Sequence, residues 1–122
     1  MEIWVKGAWA LLALVHLSPA AAAFSPGLVS RLYGVAPEGD LGVLLAHRGA
    51  LFLAILAACL CAILDPSARR ALSLVVAISV IGFLIVYVRA GAPVGPLRAI
   101  AIIDAIALVP LFFVAVSAWR AS

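Results

Sequence analysis

The chain alternates long apolar runs with short polar stretches, and this pattern predicts helices that cross a membrane. A bilayer core is about 30 Å thick and a helix rises about 1.5 Å per residue, so a span needs about 20 mostly apolar residues. The runs that meet this length predict four spans, at about residues 3–23, 41–64, 71–88 and 97–119. The expected fold is therefore an all-α integral membrane four-helix bundle, with residues 1–122 forming a single transmembrane domain.

Proline, glycine and acidic residues mark the connections between the spans. Residues 25–27 (Ser-Pro-Gly) open a polar stretch in which we expect a short surface helix. Asp40 is a plausible N-cap of the second span, because a short carboxylate can accept hydrogen bonds from the free amides of the first helical turn. Residues 65–67 (Asp-Pro-Ser) end that span, and the Gly- and Pro-rich residues 91–96 separate the last two.

The first span has an alternative interpretation as a secretory signal. Lys6, the apolar run that follows it and the alanine tract at residues 20–23 form a passable signal with a cleavage site. Cleavage would leave three spans. We expect the segment to be retained, because a polar His16 inside the apolar run is unusual for a signal.

Composition and charge agree with a membrane protein. Hydrophobic residues make up 68% of the chain, far above the roughly 45–50% of soluble domains. The net charge of +3 comes from scattered cations rather than a basic cluster, so we expect the lipid bilayer as partner and no nucleic acid.

An even number of spans places both termini on one side of the membrane. Trp4 and Trp119 are then expected at one interface, and Tyr33 and Tyr87 at the other. The cations divide almost equally, with Lys6, Arg69, Arg70 and Arg120 on the terminal side and Arg31, Arg48, Arg89 and Arg98 on the other. If Arg48 belongs to the bundle, the terminal side carries more cations than the other side, which favours cytoplasmic termini. We then expect only a membrane-permeant reagent to reach a cysteine label at Ser122.

Four ionisable residues are predicted to share one depth: His16, His47, Arg48 and Asp104. Counting from the ends of their spans places each about 10 Å below the surface opposite the termini. Charges in the hydrocarbon are costly unless they are paired, so Arg48 and Asp104 are candidates for a buried pair, as a structural clasp or as part of a ligand or proton site. Alternatively, Arg48 extends to the headgroups and Asp104 neutralises Arg98 through water.

Other candidate chemistry is weaker. His16 and His47 could clasp a haem iron or a metal between helices, but they lack a recognisable spacing motif. Alone, His16 is expected to bond a backbone carbonyl. Cys59 and Cys61 point about 200° apart on a helix, so we expect apolar filler residues and no metal site.

Small residues recur every fourth position in the second span. The stripe comprises Ala46, Ala50, Ala54, Ala58 and Ala62. Such a pattern lets another helix backbone approach closely, and it predicts packing within the chain or, alternatively, a homo-oligomer.

Three short segments carry a family resemblance: LYGV at residues 32–35, LAHRGALF at residues 45–52, and the pair Ile103-Asp104. They resemble the DoxX-like group of small four-span bacterial membrane proteins. This resemblance implies an inner-membrane location, directs attention to His47, Arg48 and Asp104, and hints at quinone-linked redox chemistry. Some similar sequences carry the label phosphopantetheine adenylyltransferase, but this chain lacks the HxGH motif and a soluble αβ domain.

Three classes of function follow from these features. The first is a non-catalytic accessory module that binds a lipid, another ligand or a membrane protein partner through the polar layer and the alanine stripe. The second is a quinone- or haem-linked redox subunit, and the third is a small proton-coupled transporter. The third lacks the acidic residue usual within the first span, where this chain has Glu2 at the edge. The sequence does not specify a cofactor or decide whether the protein is an enzyme.

Overall fold

A computed structural model describes residues 1–120, and within them the chain is helical without strands. The helices are α1 (Glu2–Ala21), α2 (Pro26–Tyr33), α3 (Gly39–Leu64), α4 (Arg69–Arg89) and α5 (Pro96–Arg120). A 3₁₀ turn at Pro66–Ala68 joins α3 to α4. The predicted all-α helical bundle is confirmed.

Four of the helices, α1, α3, α4 and α5, are long and apolar enough to cross a membrane. Their ends lie within about two residues of the predicted spans. One predicted detail is wrong: α3 begins at Gly39 after the N-cap Glu38, and no side chain caps it. Asp40 therefore lies in the first turn, where its charge favourably faces the positive end of the helix dipole.

The short helix α2 lies against the bundle at the end opposite the termini, as expected for residues 24–37. Ser25 starts it by accepting a hydrogen bond from the Leu28 amide at 3.3 Å, and Pro26 supplies the fixed φ of a first helical position. Gly34 ends it in the left-handed conformation at φ 68°. A Cβ on Gly34 would lie 2.8 Å from Pro96, so the glycine also allows close approach to α5.

The core forms mainly where α1 packs on α3 and α5. Trp9 and Leu12 of α1 are fully buried there. Gly49 brings α3 close to the end of α1, because an added Cβ would lie 2.5 Å from the Ala23 amide nitrogen. Helices α4 and α5 also pack closely, whereas α3 and α4 make far fewer contacts with each other. The bundle is thus closed around α1 and α5 and open between α3 and α4.

Arg69 makes hydrogen bonds that hold helices together at the end of the bundle that contains the termini. The residue is 6% exposed, and its Nη1 and Nη2 donate to the two Glu2 carboxylate oxygens at 2.7 and 3.2 Å. The Nε donates to the Ala62 carbonyl at 2.6 Å and Nη2 to the Ile63 carbonyl at 3.3 Å. These carbonyls belong to the last turn of α3, where no amide of the helix is left to pair with them. One guanidinium therefore joins the starts of α1 and α4 to the end of α3.

The turn after α3 has its own polar contacts. Asp65 accepts hydrogen bonds from the amide of Ser67 at 3.0 Å and from its hydroxyl at 2.6 Å. These bonds stabilise the ionised form and lower the pKa of the Asp65 carboxyl. Nearby, the guanidinium of Arg70 lies 5.3 Å from the Trp119 ring centre. This aromatic contact places the end of α5 beside the start of α4.

The alanine stripe of α3 does not form one buried seam. Ala62 is buried and Ala46 and Ala58 are half-buried, but Ala50 and Ala54 are exposed. A repeat of four residues drifts around a helix of 3.6 residues per turn, so one neighbour cannot cover all five positions. Internal packing therefore accounts for part of the stripe, and a homo-oligomer stays a prediction.

Candidate functional site

The guanidinium of Arg48 lies within a group of aromatic rings. Its Nε donates a hydrogen bond to the Tyr33 hydroxyl at 3.2 Å. The guanidinium carbon is 4.6 Å from the ring centre of Phe52, 5.2 Å from that of Phe83 and 5.8 Å from that of Tyr33. Phe52 shares a face of α3 with Arg48 because the two are four residues apart, while Tyr33 ends α2 and Phe83 comes from α4. Three helices thus position one cation.

The remaining donors of Arg48 are not engaged. Within residues 1–120 the Tyr33 hydroxyl is the sole hydrogen-bond acceptor of this side chain. The N–H groups of Nη1 and Nη2 therefore form an unpaired fork on a half-buried side chain.

A groove of about 550 Å³ begins at Arg48 and runs between α3 and α4. On α3 it is lined by Arg48, Leu51, Phe52, Ala54 and Ile55, and on α4 by Val75, Ile78, Ser79, Gly82, Phe83 and Val86. Its walls are apolar apart from Arg48 and the Ser79 hydroxyl. The groove is open on one side, because few contacts close α3 against α4.

His16 lies inside the bundle next to this group, as the prediction for a lone core histidine requires. It is 2% exposed, and its Nδ1 donates to the Leu12 carbonyl at 2.7 Å. Its ring centre is 5.7 Å from that of Phe52. The hydrogen bond to the preceding turn fixes the ring and explains how α1 accommodates a polar side chain in its buried face.

Asp104 is on α5, where the adjacent Ile103 lines a cavity together with Val15 of α1, the residue before His16. The residue is 8% exposed, and within residues 1–120 its carboxylate makes no hydrogen bond or ion pair. Within the same residues no hydrogen bond or ion pair joins Asp104 to Arg48, its candidate partner, whose Nε donates to Tyr33.

His47 does not join the layer. It is exposed on the outer face of α3, whereas the adjacent Arg48 points towards α4. Consecutive helical residues are about 100° apart, so the two side chains diverge despite their shared depth. The two histidines are consequently not arranged as a clasp for haem iron, and no group of three or more metal-binding side chains occurs in the described chain.

The aromatic partners of Arg48 were not predicted as site residues. Tyr33 was predicted as an interface anchor, and its position in the LYGV segment gave a partial signal. Phe52 follows Arg48 by four residues, a spacing that could have identified it. Phe83 gave no such signal, because its contact depends on how α4 packs against α3.

The fold and the apolar spans define a multi-pass helical membrane protein. Compared with known proteins, the chain matches no family model, no curated protein and no solved structure. The resemblance to the DoxX-like group therefore stays a prediction.

Proposed function

We propose that this protein is a non-catalytic membrane module that binds a lipid-like amphiphile in the groove between α3 and α4. The observation that carries the proposal is a guanidinium held at one end of an otherwise apolar, laterally open groove. An amphiphile has the matching division into a polar head and an apolar body.

The size and walls of the groove support this proposal. Its volume of about 550 Å³ lies within the range of small-molecule sites, which are mostly apolar with a few placed polar groups. Membrane helices gain no hydrophobic free energy from excluding lipid, so nothing forces α3 and α4 to close the gap. A ligand that fills the groove gains the dispersion contacts that the two helices do not make with each other.

The other functional classes receive less support. A haem held by His16 and His47 disagrees with the exposed position of His47. A proton-coupled transporter needs a path to a titrating group, and the groove lining does not include Asp104. We retain the bacterial inner membrane, cytoplasmic termini and a membrane protein partner as proposals that rest on the sequence.

Native mass spectrometry of the gently solubilised protein, with an absorption spectrum, tests the proposed function. We expect the wild-type protein to retain lipid-sized ligand and Gly82→Leu to lose it. A Cβ on Gly82 meets no atom within 4 Å, so the leucine extends into the groove without a backbone clash.

Gly7→Leu is the matched control. Gly7 also has free space around its Cβ position, but it lines a different groove, between α1 and α5. Equal retention by wild type, Gly82→Leu and Gly7→Leu would show nonspecific lipid and contradict the proposal. A retained haem or quinone chromophore would favour the redox class.

A further inference from the structure

We propose that the groove selects a single-chain carboxylate, such as a fatty acid, and that the Nη1 and Nη2 groups of Arg48 bind its head. The inference rests on the proposed function, since it specifies the ligand of the same groove.

The geometry of Arg48 fits a two-oxygen anion. Nε is held by the Tyr33 hydroxyl at 3.2 Å, and the Phe52 and Phe83 rings lie 4.6 and 5.2 Å from the guanidinium carbon. These contacts restrict rotation of the guanidinium and leave the Nη1 and Nη2 donors available. Two parallel N–H donors match the two oxygens of a carboxylate, and such charge-assisted pairs are stronger than neutral hydrogen bonds.

The charge along the groove favours an anion. Arg48 is the charged residue in its lining, and the other polar side chain is Ser79. Asp104, on α5, does not line the groove, so it does not occupy the place of the ligand. An anionic head would therefore meet an unpaired cation next to an apolar channel.

The depth of Arg48 favours a small head. Arg48 follows the start of α3 by nine residues, which places it about 13 Å along the helix axis. The 26 residues of α3 span about 39 Å, so each end extends about 4 to 5 Å beyond a core of about 30 Å. Arg48 then lies about 9 Å inside the hydrocarbon. A carboxylate attached directly to its chain reaches this depth more easily than a phosphate that also carries glycerol and a second chain.

The groove is long enough for most of one extended chain. Between Val86 and Val75, the two ends of the groove lining on α4, this helix advances about 16 Å. The tail would pass Gly82, where the missing side chain widens the channel, and end near Ile55 and Val75.

Competition measured by native mass spectrometry in detergent tests this inference with three probes: palmitate, methyl palmitate and phosphatidylglycerol. We expect wild-type protein to retain palmitate at least about tenfold better than its uncharged methyl ester, as the loss of a charged hydrogen-bonded pair implies. Arg48→Gln should remove this preference, and Arg48→Lys should keep part of it, since lysine keeps the charge without the fork. Thermal unfolding and near-UV circular dichroism establish that each variant is folded.

The outcomes separate the inference from the proposed function. If wild type retains palmitate and its ester equally while Gly82→Leu loses both, the groove binds amphiphiles but the role of Arg48 is overturned. If phosphatidylglycerol outcompetes palmitate, the single-chain assignment is overturned. If Gly82→Leu retains every probe as wild type does, both proposals fail. Should Arg48→Gln not fold, a palmitate preference in Arg48→Lys equal to that of wild type would still contradict the role of the fork.

Discussion

Arg48 is tolerated inside the membrane because its surroundings offset the loss of water. The Tyr33 hydroxyl accepts from Nε, and aromatic rings face the cation, an arrangement worth about 2 kcal/mol or more per cation–π contact when desolvated. Tyr33 itself is nearly buried at the end of α2. These neighbours therefore hold the guanidinium in place and leave its Nη1 and Nη2 donors open to an anion.

Asp104 presents the opposite case, because its buried carboxylate lacks a direct partner among residues 1–120. An uncompensated charge in the hydrocarbon region is unfavourable. We expect Asp104→Asn to leave the thermal midpoint in detergent unchanged or to raise it.

Asp40→Asn, at an exposed carboxylate in the first turn of α3, serves as the control and should lower the midpoint slightly, because it removes a charge that faces the helix dipole favourably. A fall in the midpoint of Asp104→Asn by more than about 4 °C, or about 1 kcal/mol, would show that Asp104 has a stabilising ionic partner.

At the scale of the helices, Gly49 of α3 has the tightest surroundings among the glycines of the described chain. A methyl group there would lie 2.5 Å from the Ala23 amide nitrogen and 2.9 Å from its Cα. Backbone atoms cannot rotate away as a flexible side chain can. We expect Gly49→Ala to destabilise the protein by about 1–3 kcal/mol in thermal unfolding.

Gly82→Ala is the matched control, because its new methyl meets no atom within 4 Å and alanine favours the helix by about 1 kcal/mol. It should be neutral or stabilising. Equal effects of the two substitutions would contradict the close packing of α3 on the end of α1.

Helix ends could be predicted from the sequence where local chemistry determines them, whereas the rotation of each helix about its own axis could not. Ser25, Pro26 and Gly34 bound α2 through a cap, a fixed φ and a left-handed turn, all of which are short-range features. Depth could also be counted from the span ends. The directions in which His47 and Arg48 point could not be predicted, because they depend on which neighbours pack against α3.

Long-range contacts set the same limit on prediction. Glu2 and Arg69 are 67 positions apart, and nothing in the spacing indicated their ion pair. The cations of residues 69 and 70 were predicted to set topology, yet Arg69 is a buried connector between helices. The unfilled gap between α3 and α4 was also unpredictable, since both helices have apolar faces that could have packed together.

For the whole molecule, the fold places both ends of the described chain on one side. Met1, Glu2, Ser67 and Ala118 line a single cavity. Ser122, the predicted label position, lies outside the described residues. We therefore choose Ser67 as the label position on this side of the membrane and Val94, in the α4–α5 loop, as the label position on the other side. Both are exposed.

In a background with Cys59 and Cys61 replaced by alanine, we expect Ser67→Cys to react in intact cells with a permeant maleimide alone. Val94→Cys should also react with an impermeant one. The reverse pattern would place the termini outside, and reaction of both sites with the impermeant reagent would contradict the four-span arrangement.

The most direct measurement for the proposed site is photo-crosslinking with a fatty acid that carries a diazirine near its terminal methyl, mapped by mass spectrometry. We expect labels to concentrate around Ile55 on α3 and Val75 to Ser79 on α4, because the tail should lie there when the head binds Arg48. Labels spread over outward-facing residues such as Ile106 and Phe112, without preference for α3 and α4, would contradict a binding groove between these helices.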